Sequence, residues 1–252
     1  MATAKKDTGS RLTLSAAKSI RQRIEATGEG YWRQHDFVTL PAPAVSQTLS
    51  RLARQGFLQR LGKGLYYRPR PTPFGKSRPS QSAIGQLPIA GKVVFPAGIS
   101  AANLLGFSTQ NAARDDLATP AGSFPRTIIG KEARLRTRRP ELWNGLKPRE
   151  AALLDFLRER GIASELSPHD TVQKLLGHLE EEGMYERLAQ IARSEPPRVR
   201  AIMGAIGQQL GKDEDLLTPL RESLNPLSRF NFGNLSALRY ARDWQAKERK
   251  QG

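Results

Sequence analysis

A mainly helical α+β fold is what this 252-residue sequence predicts, on three observations. Apolar residues recur at helical spacing from Ser15 to Gln55 and again from Pro148 onward. Between Phe57 and Arg68 two short runs rich in Leu and Tyr flank the glycine-containing turn Gly62-Lys63-Gly64. A middle stretch without clear period carries short β-prone runs, so strands and helices both occur but helices dominate.

From Ser15 to Ala26, Ala16, Ile20 and Ile24 repeat every four residues while Lys18, Arg21 and Arg23 fall elsewhere. That pattern predicts an amphipathic helix, ended by Gly28 and Gly30. A short second helix is expected around Trp32 to Val38. Pro41 and Pro43 then stand in the first turn of a third, where the missing proline N–H has no intrahelical partner to lose. This helix runs to about Gln55, with Val45, Leu49 and Leu52 as its apolar stripe and Gly56 as its stop. Ser46, Gln47, Ser50, Arg51 and Arg54 occupy its other sides. Phe57 to Leu61 and Leu65 to Arg68 read as strands, since glycines at the turn permit the positive φ that a tight hairpin asks for. Tyr66 and Tyr67 alternate along the second strand, so at least one belongs to the core.

Three helices followed by a hairpin with a basic tip are the order of a winged helix-turn-helix, placed at 15–69 behind a flexible basic tail at 1–14. Pro71, Pro73 and Pro79 cannot continue a helix and mark 70–82 as an extended, basic, proline-rich linker. Residues 83–252 form the remainder, mixed over 83–140 and helical over 141–252. In the mixed part Val93 to Phe95, Arg126 to Ile129 and Ala133 to Thr137 are expected strands, and Ser100 to Gly106 a helix. Later, Ser167 before Pro168 is a helix start, and Leu238, Ala241 and Trp244 predict a last helix near Leu235 to Ala246. The sequence has no fixed-period repeat.

Charge is distributed unevenly. Residues 1–80 hold 15 basic and 4 acidic side chains and 81–140 hold 8 and 3, whereas 141–252 hold 17 of each. A positive N-terminal third calls for a polyanion, nucleic acid first, and a neutral C-terminal half calls for a different partner or none. The sequence has no cysteine, which excludes disulfides, thiolate metal sites and cysteine nucleophiles and fits a reducing cytoplasm. No stretch approaches the roughly 18 uninterrupted apolar residues of a membrane helix. MATAKKDTGSR at the start has no apolar core behind its lysines, so an unexported cytoplasmic protein without a membrane partner is expected.

The winged helix-turn-helix gives these residue types a task. A helix whose one stripe is buried can enter a major groove, where Arg pairs with guanine and Gln with adenine. Ser46, Gln47, Ser50 and Arg51 are therefore candidate base readers, against the plain alternative of a solvated helix face. Arg54, Arg60, Lys63, Arg68 and Arg70 are candidate phosphate contacts; Arg54 could equally complement its own helix C-terminus. Gly75, Lys76 and Ser77 mimic the end of a phosphate-binding loop, but Arg70 stands where that motif needs glycine. His35, His169 and His178 lack partners at metal-ligand spacing. The acidic run Glu180, Glu181, Glu182 with Glu186 reads as a solvated face. No metal or cofactor is expected, and no acid-base-nucleophile set suggests an enzyme.

The run VSQTLSRLARQGFLQRLGKGLYYRP, Val45 to Pro69, resembles the winged-helix domain of the AbiEi family, the antitoxins of type IV toxin-antitoxin systems. PAGISAANLLGFSTQ (Pro96 to Gln110), PPRVRAIMGAIGQQLG (Pro196 to Gly211) and LNPLSRFNFG (Leu224 to Gly233) look like the family too. The resemblance implies autorepression through double-stranded DNA, by binding inverted repeats in the promoter. It also implies action against a nucleotidyltransferase-like toxin without a stable complex, with the C-terminal region contributing. Three alternatives fit the same residues. They are a DNA-binding regulator with no toxin, an RNA binder, and a magnesium-dependent nucleic-acid-processing enzyme using Asp115, Asp116 or the glutamate cluster.

Overall fold

The computed structural model describes residues 4–73, 75–77, 92–110, 116–129 and 132–248. It divides into two compact units, 1–84 with 125–131 and 85–124 with 132–252. The α+β, mainly helical class is observed.

The first unit opens with helix α1 (Ala4–Thr27), strand β1 (Gly30–Arg33) and a 3-10 turn at Gln34–Phe37. Helix α2 (Ala42–Arg54) and strands β2 (Gln59–Gly62) and β3 (Leu65–Arg68) follow. The three strands form an antiparallel sheet in the order β1-β3-β2, with Trp32 opposite Tyr66 and Tyr31 opposite Tyr67. This is the winged helix-turn-helix. Its core joins Ile20 and Ile24 of α1, Trp32 and Phe37, the Val45-Leu49-Leu52 stripe of α2, Leu58 and Tyr66. The stripe is buried because its spacing puts all three side chains on one helix face.

Four expectations for this unit are corrected. Backbone from Ala4 is already helical, so the stretch expected as a flexible tail at 1–14 belongs from there on to α1. The second helix is a strand followed by a single 3-10 turn: Trp32 lies on β1, where it is 5% exposed and stacks on Phe37. The linker expected at 70–82 begins as a second small hairpin, β4 (Pro71–Thr72) paired with β5 (Gly75–Lys76). Arg70 N–H donates to Ser77 Oγ at 2.7 Å and Ser77 N–H to the Arg70 carbonyl at 2.8 Å, which ties the hairpin's ends together. The rest of the expected linker, 78–82, lies outside the described residues. The unit is completed by α4 (Arg126–Ile129), which packs against β2. That segment was expected as a strand. It is one helical turn because the Pro125 carbonyl receives the N–H groups of Ile128 and Ile129, at 3.1 and 3.4 Å.

The second unit holds α3 (Gly98–Leu104) and a three-stranded sheet of β6 (Phe95–Pro96), β7 (Asp116–Ala118) and β8 (Arg134–Arg136). β6 pairs antiparallel and β8 parallel with the central β7. Five helices follow: α5 (Pro148–Arg158), α6 (Pro168–Glu180), α7 (Met184–Ala192), α8 (Pro197–Gln209) and α9 (Glu214–Glu222). α5 is buried from Glu150 to Leu157, as a helix at the centre of a core must be. Its Asp155 is fully buried, yet both oxygens are served, by Arg139 Nη2 at 2.6 Å and the Gly98 N–H at 2.8 Å. Glu195, also buried, accepts from Trp143 Nε1 at 2.7 Å and Arg158 Nε at 2.5 Å. A buried carboxylate persists only when matched in this way. Ser167 caps α6 as expected, accepting the Asp170 N–H at 3.1 Å. The last helix expected near Leu235 to Ala246 is instead a 3-10 segment, Gly233–Ala237, followed by turns that still bury Leu238, Ala241 and Trp244.

Candidate nucleic-acid interface

α2 is built to show one face and hide the other. Pro41 supplies the first carbonyl, accepting the Val45 N–H at 3.1 Å. The helix ends where Gly56 takes φ +71°, a left-handed conformation that a side chain would strain. There Phe57 N–H bonds the Leu52 carbonyl and Gly56 N–H the Ala53 carbonyl, both at 3.0 Å, and the chain turns sharply into β2. The sharp exit brings the wing alongside the helix's polar side.

Ser46, Gln47, Arg51 and Arg54 are exposed on that side, and none has a side-chain hydrogen bond or ion pair among the described residues. They line an open groove with Ala17 of α1 and Ala44. Arg54 and Arg60 then share an adjoining depression with Ser50, and Arg60, Gly56 and Lys76 line the next. Arginine donors thus run from mid-helix to the wing strand. Lys63 is exposed at the turn between β2 and β3, beside Gly64 at φ +71°.

The remaining predicted contacts have other surroundings. Ser50 is half-buried, its hydroxyl 3.0 Å from that of Tyr66, so it pins α2 to β3. Arg68 is half-buried against Phe57, donating to its carbonyl at 3.0 Å with the guanidinium carbon 3.7 Å from the ring centre. That engagement takes Arg68 out of the exposed cationic set. Arg70 is exposed and lies 3.5 Å from Glu29. Glu29 accepts a hydrogen bond from the Tyr67 hydroxyl, and the Tyr67 and Ser77 hydroxyls with Arg70 hold its carboxyl below the usual range. Arg70 therefore faces a carboxylate at neutral pH. Both tyrosines of β3 are buried, with Tyr66 on the α2 side and Tyr67 bonded to Ser77 at 2.9 Å.

Lys76 is not among the expected phosphate contacts; the sequence shows it only within Gly75-Lys76-Ser77 and the proline-rich run. Here it is exposed on β5 and donates to the Gly56 carbonyl at 3.0 Å, next to the groove and at the C-terminal end of α2, where a cation is favoured. Its place in a basic, proline-rich run was the available signal. Of the acidic alternatives, Asp116 is paired with Arg136 at 3.4 Å, Glu181 with Arg149 at 2.5 Å and Glu186 with Lys212 at 2.6 Å. Asp115 lies outside the described residues. Among the described residues no group of three or more His, Asp or Glu side chains could hold a metal ion, and no helix is long and apolar enough to cross a membrane.

No family model matches the chain, and no curated protein is similar to it. Among solved structures it is similar to the RV2827C protein from Mycobacterium tuberculosis. The identity is 18%, over 89% of this chain and 85% of that one, with a TM-score of 0.45.

Proposed function

We propose that this chain is a sequence-specific binder of double-stranded DNA that represses its own promoter at inverted repeats, as the antitoxin of a type IV toxin-antitoxin system. The exposed face of α2 carries the DNA part of this reading. Gln47 and Arg51 are exposed there without a side-chain partner among the described residues, flanked by Arg54, Arg60 and Lys63 in a unit rich in positive charge. Amide and guanidinium groups on a groove-sized helix suit base edges, and the flanking cations suit phosphates. The reading needs no metal, cofactor or catalytic group and places the protein in the cytoplasm with its operator. The antitoxin part is supported by the resemblance of Val45 to Pro69 and the three later stretches to the AbiEi family. It adds a nucleotidyltransferase-like toxin, opposed by the C-terminal region without a stable complex.

Titration of the chain against its own promoter duplex and a scrambled duplex at several salt concentrations tests the DNA part. Preference for the promoter, with log affinity falling linearly in log salt, is expected; equal affinity for both duplexes rejects sequence-specific repression. Co-expression with a nucleotidyltransferase-like protein encoded beside the gene tests the antitoxin part. Rescue of growth is expected, and undiminished toxicity in the presence of folded protein rejects it.

A further inference from the structure

Two buried isoleucines of α4 lie outside the set of exposed cations and polar groups. Ile128 and Ile129 are each 3% exposed. The Ile128 Cδ1 atom lies 3.4 Å from the point where a side chain on Gly62 would begin, and Leu61 beside it is buried. One helical turn is too short to offset its own nucleation cost, so α4 holds its shape through what it packs against. The dependence runs both ways. β2 is an outer strand of the sheet, and its pairing with β3 shifts register between Arg60 and Gly62. A register shift bends the strand and loosens the ladder's hold on its path, and this one sits immediately before the Lys63-Gly64 turn.

We infer that α4 is the positioning element of the wing: packed beside Gly62, Ile128 fixes how β2 enters the turn and so where the Lys63 ammonium is held. The ligand of that ammonium, a phosphodiester backbone, rests on the DNA-binding reading, whereas the docking does not. The segment that supplies α4 begins at Pro125, more than sixty positions after Gly62.

The experiment uses the full-length chain, Ile128→Asp, Ile128→Ala, Lys63→Ala and the double variant Lys63→Ala/Ile128→Asp. Amide hydrogen exchange on the free proteins reads docking without DNA. Exchange at Lys63, Gly64 and Leu65 is expected to accelerate in Ile128→Asp while α2 amides keep their protection. Should the charge unfold the whole unit, Ile128→Ala, which only shortens the side chain, gives the same decision. Binding to a random duplex over a salt series is the second readout. Ile128→Asp should make the slope of log affinity against log salt shallower by about 0.9, one phosphate's worth, as Lys63→Ala does, and the double variant should be no shallower than either. Unchanged exchange at 63–65, or additive loss of slope, overturns the inference. If the unmodified chain binds no duplex at all, the DNA reading fails while the exchange result still decides the docking.

Discussion

Ser50 and Arg51 are neighbours with opposite duties. The Ser50 hydroxyl meets Tyr66 at 3.0 Å and joins α2 to the sheet, whereas the Arg51 guanidinium faces solvent. Arg51→Ala and Gln47→Ala should therefore lower the promoter-to-random affinity ratio, each by about 1–3 kcal/mol if it makes a bidentate base contact, and leave thermal stability unchanged. Lys63→Ala should weaken both duplexes alike and shallow the salt slope. Ser50→Ala should instead cost about 1 kcal/mol of stability, seen in chemical denaturation, with Tyr66→Phe adding little to it because one bond is shared. In the second unit, His178 offers a pH test. Arginine can only donate, so the 2.7 Å contact from Arg149 Nη2 makes Nδ1 an acceptor, and Nε2–H donates to the Leu105 carbonyl at 2.9 Å. Burial first, and Arg149 and Lys174 after it, push the imidazole pKa below its ordinary value, against the opposing pull of the Leu105 bond and Glu181. A depressed folded pKa gives stability that is complete above the unfolded value, about 6.5, and is lost as pH falls through the folded one. Unfolding midpoints of the unmodified protein should thus drop between pH 7.5 and 5 more than those of His178→Gln.

At the scale of elements, glycine decides two junctions. Gly56→Ala places a side chain at φ +71° in the turn that aims the wing and should cost about 1–2 kcal/mol, measured by denaturation. Gly204, in the middle of α8, lies where an added Cβ would overlap the Trp244 indole, itself 1% exposed. Gly204→Ala should destabilise the second unit by about 1–3 kcal/mol, in the range of overpacked cores, without touching DNA affinity. α2 was legible in the sequence from Pro41 to Gly56 because its caps and stripe are local signals. β1 was not, since Trp32 and Tyr31 become strand residues only through Tyr66 and Tyr67, more than thirty positions on. Arg126 to Ile129 misled in the other direction: Ile-rich composition suggests a strand, but the Pro125 carbonyl and burial against β2 decide for a helical turn. Near the C-terminus the spacing of Leu238, Ala241 and Trp244 predicts their burial, which is observed, but not the break into a 3-10 segment and turns. Consecutive turns satisfy the same period, with Gln245 at φ +65° ending them. For the site itself, exposure on α2 followed from helical geometry. That Ser50 and Arg68 are engaged within the fold depends on Tyr66 and Phe57, which no spacing rule connects to them.

For the molecule as a whole, the division of charge agrees with the division into units, most of the excess lying before residue 80. Residues 141–252 alone should not bind promoter DNA, checked by mobility shift with the full chain as reference, and a C-terminal fragment that shifts the promoter equally well would sink the assignment. A fragment ending at residue 84 should bind, but less stably than the full chain, because it lacks the 125–131 piece that completes its unit. That discontinuity also sets a schedule for biosynthesis. Gly62 is made about 60 residues before α4, roughly 3–12 seconds at 5–20 residues per second. During that interval the nascent winged helix carries an uncovered outer strand with Leu61 on it, the kind of edge that recruits another strand or a chaperone. Ribosome-stalled chains ending before Pro125 should therefore be more readily proteolysed at the wing than chains long enough for α4 to have left the ribosome.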